Sequence, residues 1–234
     1  MFVMFPDPND KGYDELSREI CEELTDAQRE DLTEKAERGD IEAQLALAYY
    51  YRGEAEKKSE LFRNIPSGSK YMRGPYCIDE RNPVTDAVNE DRRAAFLWFE
   101  RAAGQGSVEA LYELSVCYLR GEGTPPFPEK SLALLKKAAD AGYMLAQYDF
   151  GMLYLHGKTI MTGKEIPKDE ALAVKWLLKA AEQGDSFAQY QLGECYEEGK
   201  GVEADGKEAL AWYQKAADLG SELAEQALER LKED

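Results

Sequence analysis

The run AAEQGDSFAQYQLGECYEEGKGVEADGKEALAWYQKAADLG, residues 180–220, decides the fold. After Gly184, the residues Ala188, Leu192, Cys195 and Tyr196 fall at helical spacing on one face; before Gly220, Ala209, Trp212, Ala216 and Ala217 do the same. Asp185 and Asp205 stand where each helix would begin, placed to accept hydrogen bonds from orphan backbone N–H groups. Gly184 supplies the left-handed residue that ends the preceding helix. The stretch therefore predicts two short helices joined by a glycine-containing turn. Each apolar face is too narrow to be stable alone, so the pair needs neighbours.

Outward from this stretch the same text recurs, anchored on Gly39, Gly106, Gly142, Gly184 and Gly220. Three residues before each anchor stands Ala36, Ala103, Ala139, Ala181 or Ala217, and four after it Ala43, Ala110, Ala146, Ala188 or Ala224. Eight residues after come Leu47, Leu114, Phe150, Leu192 and Leu228; twelve after, Tyr51, Tyr118, Tyr154 and Tyr196. All three tryptophans, Trp98, Trp176 and Trp212, lie eight residues before an anchor, with Leu134 in that place in the remaining unit. The anchors are spaced by 67, 36, 42 and 36 residues, so the unit is 36 residues long, with 31 extra residues in the first copy and six in the third. Asp40, Ser107, Asp185 and Ser221 follow their glycines as expected helix caps, and Asp91, Asp169 and Asp205 precede theirs by 15 residues as expected helix-start carboxylates. Alanines at the crossings let backbones approach while Trp, Leu and Tyr fill the space on either side. Stacking such units buries a continuous core.

The pattern of residues 180–220, and its first half in AAGQGSVEALYELSVCYLRGEG (102–123) and AADAGYMLAQYDFGMLYLHGK (138–158), resembles the Sel-one-like repeat family, a relative of tetratricopeptide repeats. The resemblance covers about residues 26–234, with 54–88 as the main gap. It implies an all-α fold, a right-handed α-solenoid of stacked antiparallel helix pairs. It also implies adaptors that hold protein partners together. Cysteine-rich secreted members carry a cysteine pair in each repeat; here Cys117 and Cys195 occupy equivalent positions in different repeats without a second cysteine. They read as small buried hydrophobes. This departure argues against the disulfide-stapled branch and the penicillin-binding or β-lactam-hydrolysing activity suggested for it.

The expected organisation is an N-terminal segment with capping helices over 1–38 and a solenoid over 39–234. Its units lie near 39–105, 106–141, 142–183 and 184–219, with a terminal capping helix at 220–234. Thr25-Asp26-Ala27-Gln28 has capping-box form, and residues 14–24 read as a further helix. Residues 54–88 read as an irregular insertion, broken by Pro66, Gly68, Gly74, Pro75 and Pro83 and locally basic through Lys57, Lys58, Arg63, Lys70, Arg73 and Arg81. GEG at 121–123 and GKG at 199–201 read as turns between helices, not phosphate loops, because no strand precedes them and no Lys-Ser/Thr follows.

The charge of −17 would repel a phosphate backbone and an anionic membrane surface, so neither nucleic acid nor membrane is an expected partner. Cys21, Cys77, Cys117 and Cys195 form no CxxC pair, and His156 is the only histidine, so no metal, cofactor or catalytic constellation is expected. The opening MFVMFPDPND is too short an apolar run for a secretory signal. The expectation is a non-enzymatic protein, cytoplasmic or, had a signal been removed, periplasmic, with the oligomeric state open and a monomer slightly favoured.

By the tetratricopeptide resemblance, positions 3, 6, 10, 13 and 14 residues after each glycine face a concave groove. They contain the row Tyr112, Tyr148 and Tyr190, and beside it Tyr49, Leu145, Phe187, Val116, Met152, Leu119 and Leu155, with Glu194 on an acidic edge. Aromatics beside charge suit an apolar peptide or helix of a protein partner, and the charge of −17 would steer in a basic one. The alternative is that these tyrosines pack between repeats. A second function class is a bacterial immunity or inhibitor protein whose acidic surface covers a basic toxin or enzyme.

Overall fold

The computed structural model describes residues 24–63, 83–159 and 165–233. Ten helices lie among them: α1 (Asp26–Glu37), α2 (Ile41–Arg63), α3 (Pro83–Gly104), α4 (Val108–Arg120), α5 (Pro128–Asp140), α6 (Met144–His156), α7 (Glu170–Glu182), α8 (Ser186–Glu198), α9 (Gly206–Asp218) and α10 (Glu222–Glu233). The chain divides into two units, one ending at Ser131 and one beginning at Leu132. In each, sequential antiparallel helices pack: α2 on α3 in the first, α6 on α7 and α8 on α9 in the second. The helix after each anchor glycine (α2, α4, α6, α8, α10) is the A-helix of its repeat; the helix that follows (α3, α5, α7, α9) is the B-helix.

The anchors behave as the repeat predicts. Gly184 has φ 96°, a left-handed geometry that other residues adopt only with strain, and Gly39, Gly106, Gly142 and Gly220 match it. The caps then start the A-helices: Asp40 accepts from Ala43 N at 3.0 Å, Ser107 from Ala110 N at 3.2 Å and Asp185 from Ala188 N at 2.7 Å. Asp169 and Asp205 cap α7 and α9, and the Thr25–Gln28 capping box opens α1. Gly121 and Gly199 end α4 and α8 in the left-handed region, which makes GEG and GKG turns between helices.

Close approach within a pair is set nine residues after the anchor at Gly151 and Gly193, which face Leu177 and Tyr213; Ala48 and Ser115 hold that register in the earlier repeats. A Cβ on Gly193 would lie 2.4 Å from the Tyr213 ring, so only glycine lets that ring sit flat on α8. Each interior is an alanine-rich seam flanked by large residues. In the C-terminal unit it runs through Ala173, Leu177, Ala180, Ala188, Leu192 and Cys195, then through Ala209, Tyr213, Ala216 and Ala224. Buried glutamines stitch the repeats. Gln44, Gln147 and Gln189 each donate to the carbonyl of the alanine eight residues earlier. Gln105 and Gln183, one residue before their glycines, donate in turn to Gln44 Oε1 and Gln147 Oε1, both at 2.7 Å.

Two expectations need correction. The stretch 54–88 is not irregular throughout: α2 continues to Arg63 and α3 begins at Pro83. The reason is composition. EAEKKSELFR at 54–63 holds only helix formers with Glu54 three residues before Lys57, and proline is well suited to the first position of a helix. The extensions have their own core, with Ala55 and Val88 buried and Lys58 Nζ bonded to the Asp91 carboxylate. Asp91 therefore does not open a helix; it lies well inside α3. In the longer third repeat, β1 (Lys158–Thr159) pairs antiparallel with β2 (Glu165–Ile166). The expected helix at 14–24, and the basic Lys70, Arg73 and Arg81, lie outside the described residues or at their margin.

Candidate protein-binding face

The eleven residues expected to line a groove separate into two groups. Tyr49, Tyr112, Val116 and Leu155 are buried, Tyr112 completely, and are corrected here from surface to interior. The cause lies in the surroundings of α4, where every side chain from Tyr112 to Tyr118 is buried; a helix covered all round has no face left to offer. The tyrosine-packing alternative therefore holds for Tyr112. Leu119, beyond that run, is half-buried. Leu145, Tyr148, Met152, Phe187, Tyr190 and Glu194, all on α6 and α8, are likewise half-buried, with Tyr148, Met152 and Tyr190 resting against the core and the remainder of each side chain reaching solvent.

These six residues come together because they occupy repeat positions 3, 6 and 10, which share one face of a helix. Tyr148 on α6 meets Phe187 on α8 with ring centroids 6.2 Å apart. Tyr190 lies against Tyr213, centroids 5.5 Å apart, and its hydroxyl donates to Glu194 Oε1 at 3.0 Å. Burial pushes the Tyr190 hydroxyl up to about 12, and the adjacent Glu194 carboxylate adds to the shift, so the phenol stays a donor. Gln191 Nε2 donates to the other oxygen of Glu194 at 2.9 Å. On α10 the equivalent positions are Leu223, Gln226 and Arg230, all exposed. Arg230 grips Glu197 of α8 with two hydrogen bonds of 2.7 and 2.8 Å, and Tyr213 donates to the same carboxylate at 2.7 Å. The Arg230 contact, then burial opposing it, then the Tyr213 bond leave the Glu197 carboxyl below the usual carboxylate range.

In the N-terminal unit Tyr49 and Glu109, at positions 10 and 3, join Arg52 and Glu113 in an ionic cluster instead. Arg52 Nη1 bonds the Glu113 carboxylate at 2.6 Å, and Tyr49 donates to Glu109 at 2.6 Å and to Glu113 at 3.2 Å. The Arg52 guanidinium lies 4.6 Å from the Phe99 ring centre and 3.8 Å from Cys117 Sγ. Burial is the largest influence on Arg52 and lowers its pKa, but Glu113, Cys117, Glu122 and Tyr49 together outweigh it and the pKa rises. Tyr49, Arg52 and Glu109 stand at positions 10, 13 and 3, among those expected to face the groove, whereas Glu113 at position 7 does not. Its signal is a carboxylate set between Tyr112 and Leu114 in an otherwise apolar helix.

Cys117 and Cys195 are free buried thiols, each pushed up to about 11 chiefly by burial, so neither is a thiolate near neutral pH. Among the described residues no three His, Cys, Asp or Glu side chains are placed to hold a metal ion, and no helix is long and apolar enough to cross a membrane.

The Sel1 repeat pattern matches residues 41–60, 70–107, 108–143, 145–185 and 186–221. The chain belongs to the Sel1 repeat family. A crystal structure of a Sel1 repeat protein from Oxalobacter formigenes is 36% identical over 57% of this chain and 96% of its own, with a TM-score of 0.52. A protective antigen of uropathogenic Escherichia coli displaying the same repeat fold is 32% identical, covers 86% of this chain and 35% of its own, with a TM-score of 0.61. Among curated proteins, the rat DAP3-binding cell death enhancer 1 is 33% identical over 179 residues, 60% of this chain and 34% of that protein. Chitin synthase regulatory factor 3 of Schizosaccharomyces pombe is 34% identical over 170 residues, 56% of this chain and 18% of its own length. The matched region thus spans about a third or less of these curated relatives.

Proposed function

We propose that this Sel1 repeat chain is a non-enzymatic interaction scaffold that holds a protein or peptide on the A-helix face of its C-terminal unit. The observation that carries the reading is the half-buried apolar set Leu145, Tyr148, Met152, Phe187 and Tyr190, partly solvent-facing at equivalent positions of successive repeats. A core would cover such side chains, and a solvated surface would carry polar groups in their place. The names of the rat and fission-yeast relatives, one for binding DAP3 and one for regulating chitin synthase, are consistent with scaffolding roles.

The test is affinity capture from the native host with three baits: wild type, Tyr148→Ala with Phe187→Ala, and the B-helix control Lys175→Ala with Lys179→Ala. The reading expects the captured protein to be lost only from the A-face bait, with all three equally helical by circular dichroism. Equal capture by all three, or loss from the B-helix control alone, contradicts it.

A further inference from the structure

We infer that the segment held on this face is a basic amphipathic helix; the inference rests on the scaffold reading and adds the chemistry of the partner. The first argument is the shape of the apolar surface. Position 3 of three successive A-helices is Leu145, Phe187 and Leu223, large and apolar each time and 52% exposed in Leu223. The Tyr148 ring of α6 and the Phe187 ring of α8 have centroids 6.2 Å apart, so a segment lying across the two helices meets apolar side chains from both. Tyr148 and Tyr190 form a second row one turn along, which gives the surface the width of a helix face and not of a single extended strand.

The second argument is charge. α6 and α8 contain no lysine or arginine; their charged residues are Asp149, Glu194, Glu197 and Glu198, with His156 at the end of α6. The B-helices behind them are balanced: Lys175 and Lys179 against Glu170 and Glu182 in α7, Lys207 and Lys215 against Glu208 and Asp218 in α9. Asp149 is buried, so the accessible acidity of these two A-helices lies on α8, at Glu194, Glu197 and Glu198. Two of their carboxylates already face cations, Glu197 with Arg230 and Glu198 with Lys200 at 2.7 Å. Glu194 differs. Its oxygens are held by two neutral donors, Tyr190 and Gln191; it forms no direct ion pair among the described residues, and Lys200 acts on it only at longer range. It is a half-buried carboxylate fixed in place beside the tyrosine row, positioned for a lysine or arginine flanking the partner's apolar stripe.

The probes are three fluorescein-labelled 18-residue helical peptides with leucine at positions i, i+3, i+4 and i+7 and with lysine, glutamine or glutamate elsewhere. Binding to the full chain is followed by anisotropy at physiological salt. The lysine peptide should bind at least about tenfold more tightly than the glutamine peptide, and the glutamate peptide should not bind. Phe187→Ser, which leaves the charge untouched, should weaken the lysine peptide about tenfold or more, and Glu194→Gln should remove most of its advantage over the glutamine peptide. If the lysine peptide binds but ignores both substitutions, its attraction is only to the acidic protein at large and the inference fails. If the glutamine peptide binds equally well and is lost in Phe187→Ser, the scaffold reading stands and the basic partner is wrong. If no peptide responds to Phe187→Ser, the inference fails and the scaffold reading loses its support as well.

Discussion

At the scale of single residues, the repeat states what each position needs, and the exceptions can be tested. Gln44 and Gln147 have their oxygens satisfied by Gln105 and Gln183, but the place that would serve Gln189 is filled by Leu219, which is 55% exposed. Gln189 Oε1 is buried without a hydrogen bond. Leu219→Gln should complete the third rung and stabilise the protein by about 1 kcal/mol, read as a rise in melting temperature. No change would show that the ladder is not transferable between repeats. Asp185 has two opposing duties: burial raises its pKa, while the N–H groups it caps lower it, and burial wins. Its ionised form is thus less favourable folded than unfolded, so acidification through the aspartate range favours the folded state at this site. Asp185→Asn keeps the cap oxygen and loses the charge. It should match or exceed wild-type stability at pH 7 and lose that margin as the pH falls through the aspartate range, as pH-dependent denaturant melts would show. Arg52 and Glu113 are a buried pair, so Glu113→Gln should destabilise by about 3 kcal/mol by leaving the guanidinium short of a counter-charge.

At the scale of elements, the helix pairs were legible in the sequence because caps, crossings and anchors repeat together. Phe127 shows how firmly the frame holds. It stands where α7 and α9 have capping aspartates, and its backbone makes the same bonds as theirs: its N–H donates to Tyr118 O at 2.7 Å, as Asp169 donates to Tyr154 O and Asp205 to Tyr196 O at 2.9 Å. The helix start survives without a cap side chain. Phe127→Asp should therefore stabilise by about 1 kcal/mol; a lower melting temperature would mean the exposed ring packs in a way the cap cannot replace. The extensions of α2 and α3 were the element missed. Their helix formers were visible, but the nearby prolines and glycines at 66–75 drew the boundary too early. Because Val88 is buried between them, Val88→Asp should cost about 3 kcal/mol in a denaturant melt, whereas an irregular, solvated insertion would tolerate it.

At the scale of the whole molecule, the sequence revealed which positions could face a partner but not which remain open. That depends on neighbours. Tyr112 and Tyr190 share a repeat position, yet the first lies in a helix buried on all sides and the second on a helix with an open face. No single-chain periodicity distinguishes them. The scaffold is set by residues that every repeat shares, whereas binding belongs to those that vary, and in the C-terminal unit the variable set is apolar with an acidic border. The most direct measurement places a photo-crosslinking phenylalanine analogue at position 187 in the native host, with a second chain carrying it at position 175 on the B-helix α7. A discrete covalent adduct with a host protein formed from position 187, absent from position 175 and lost when Tyr190→Ala is added, is the predicted result. Adducts from position 175 alone, or the same adduct from both positions, would contradict binding on the A-helix face.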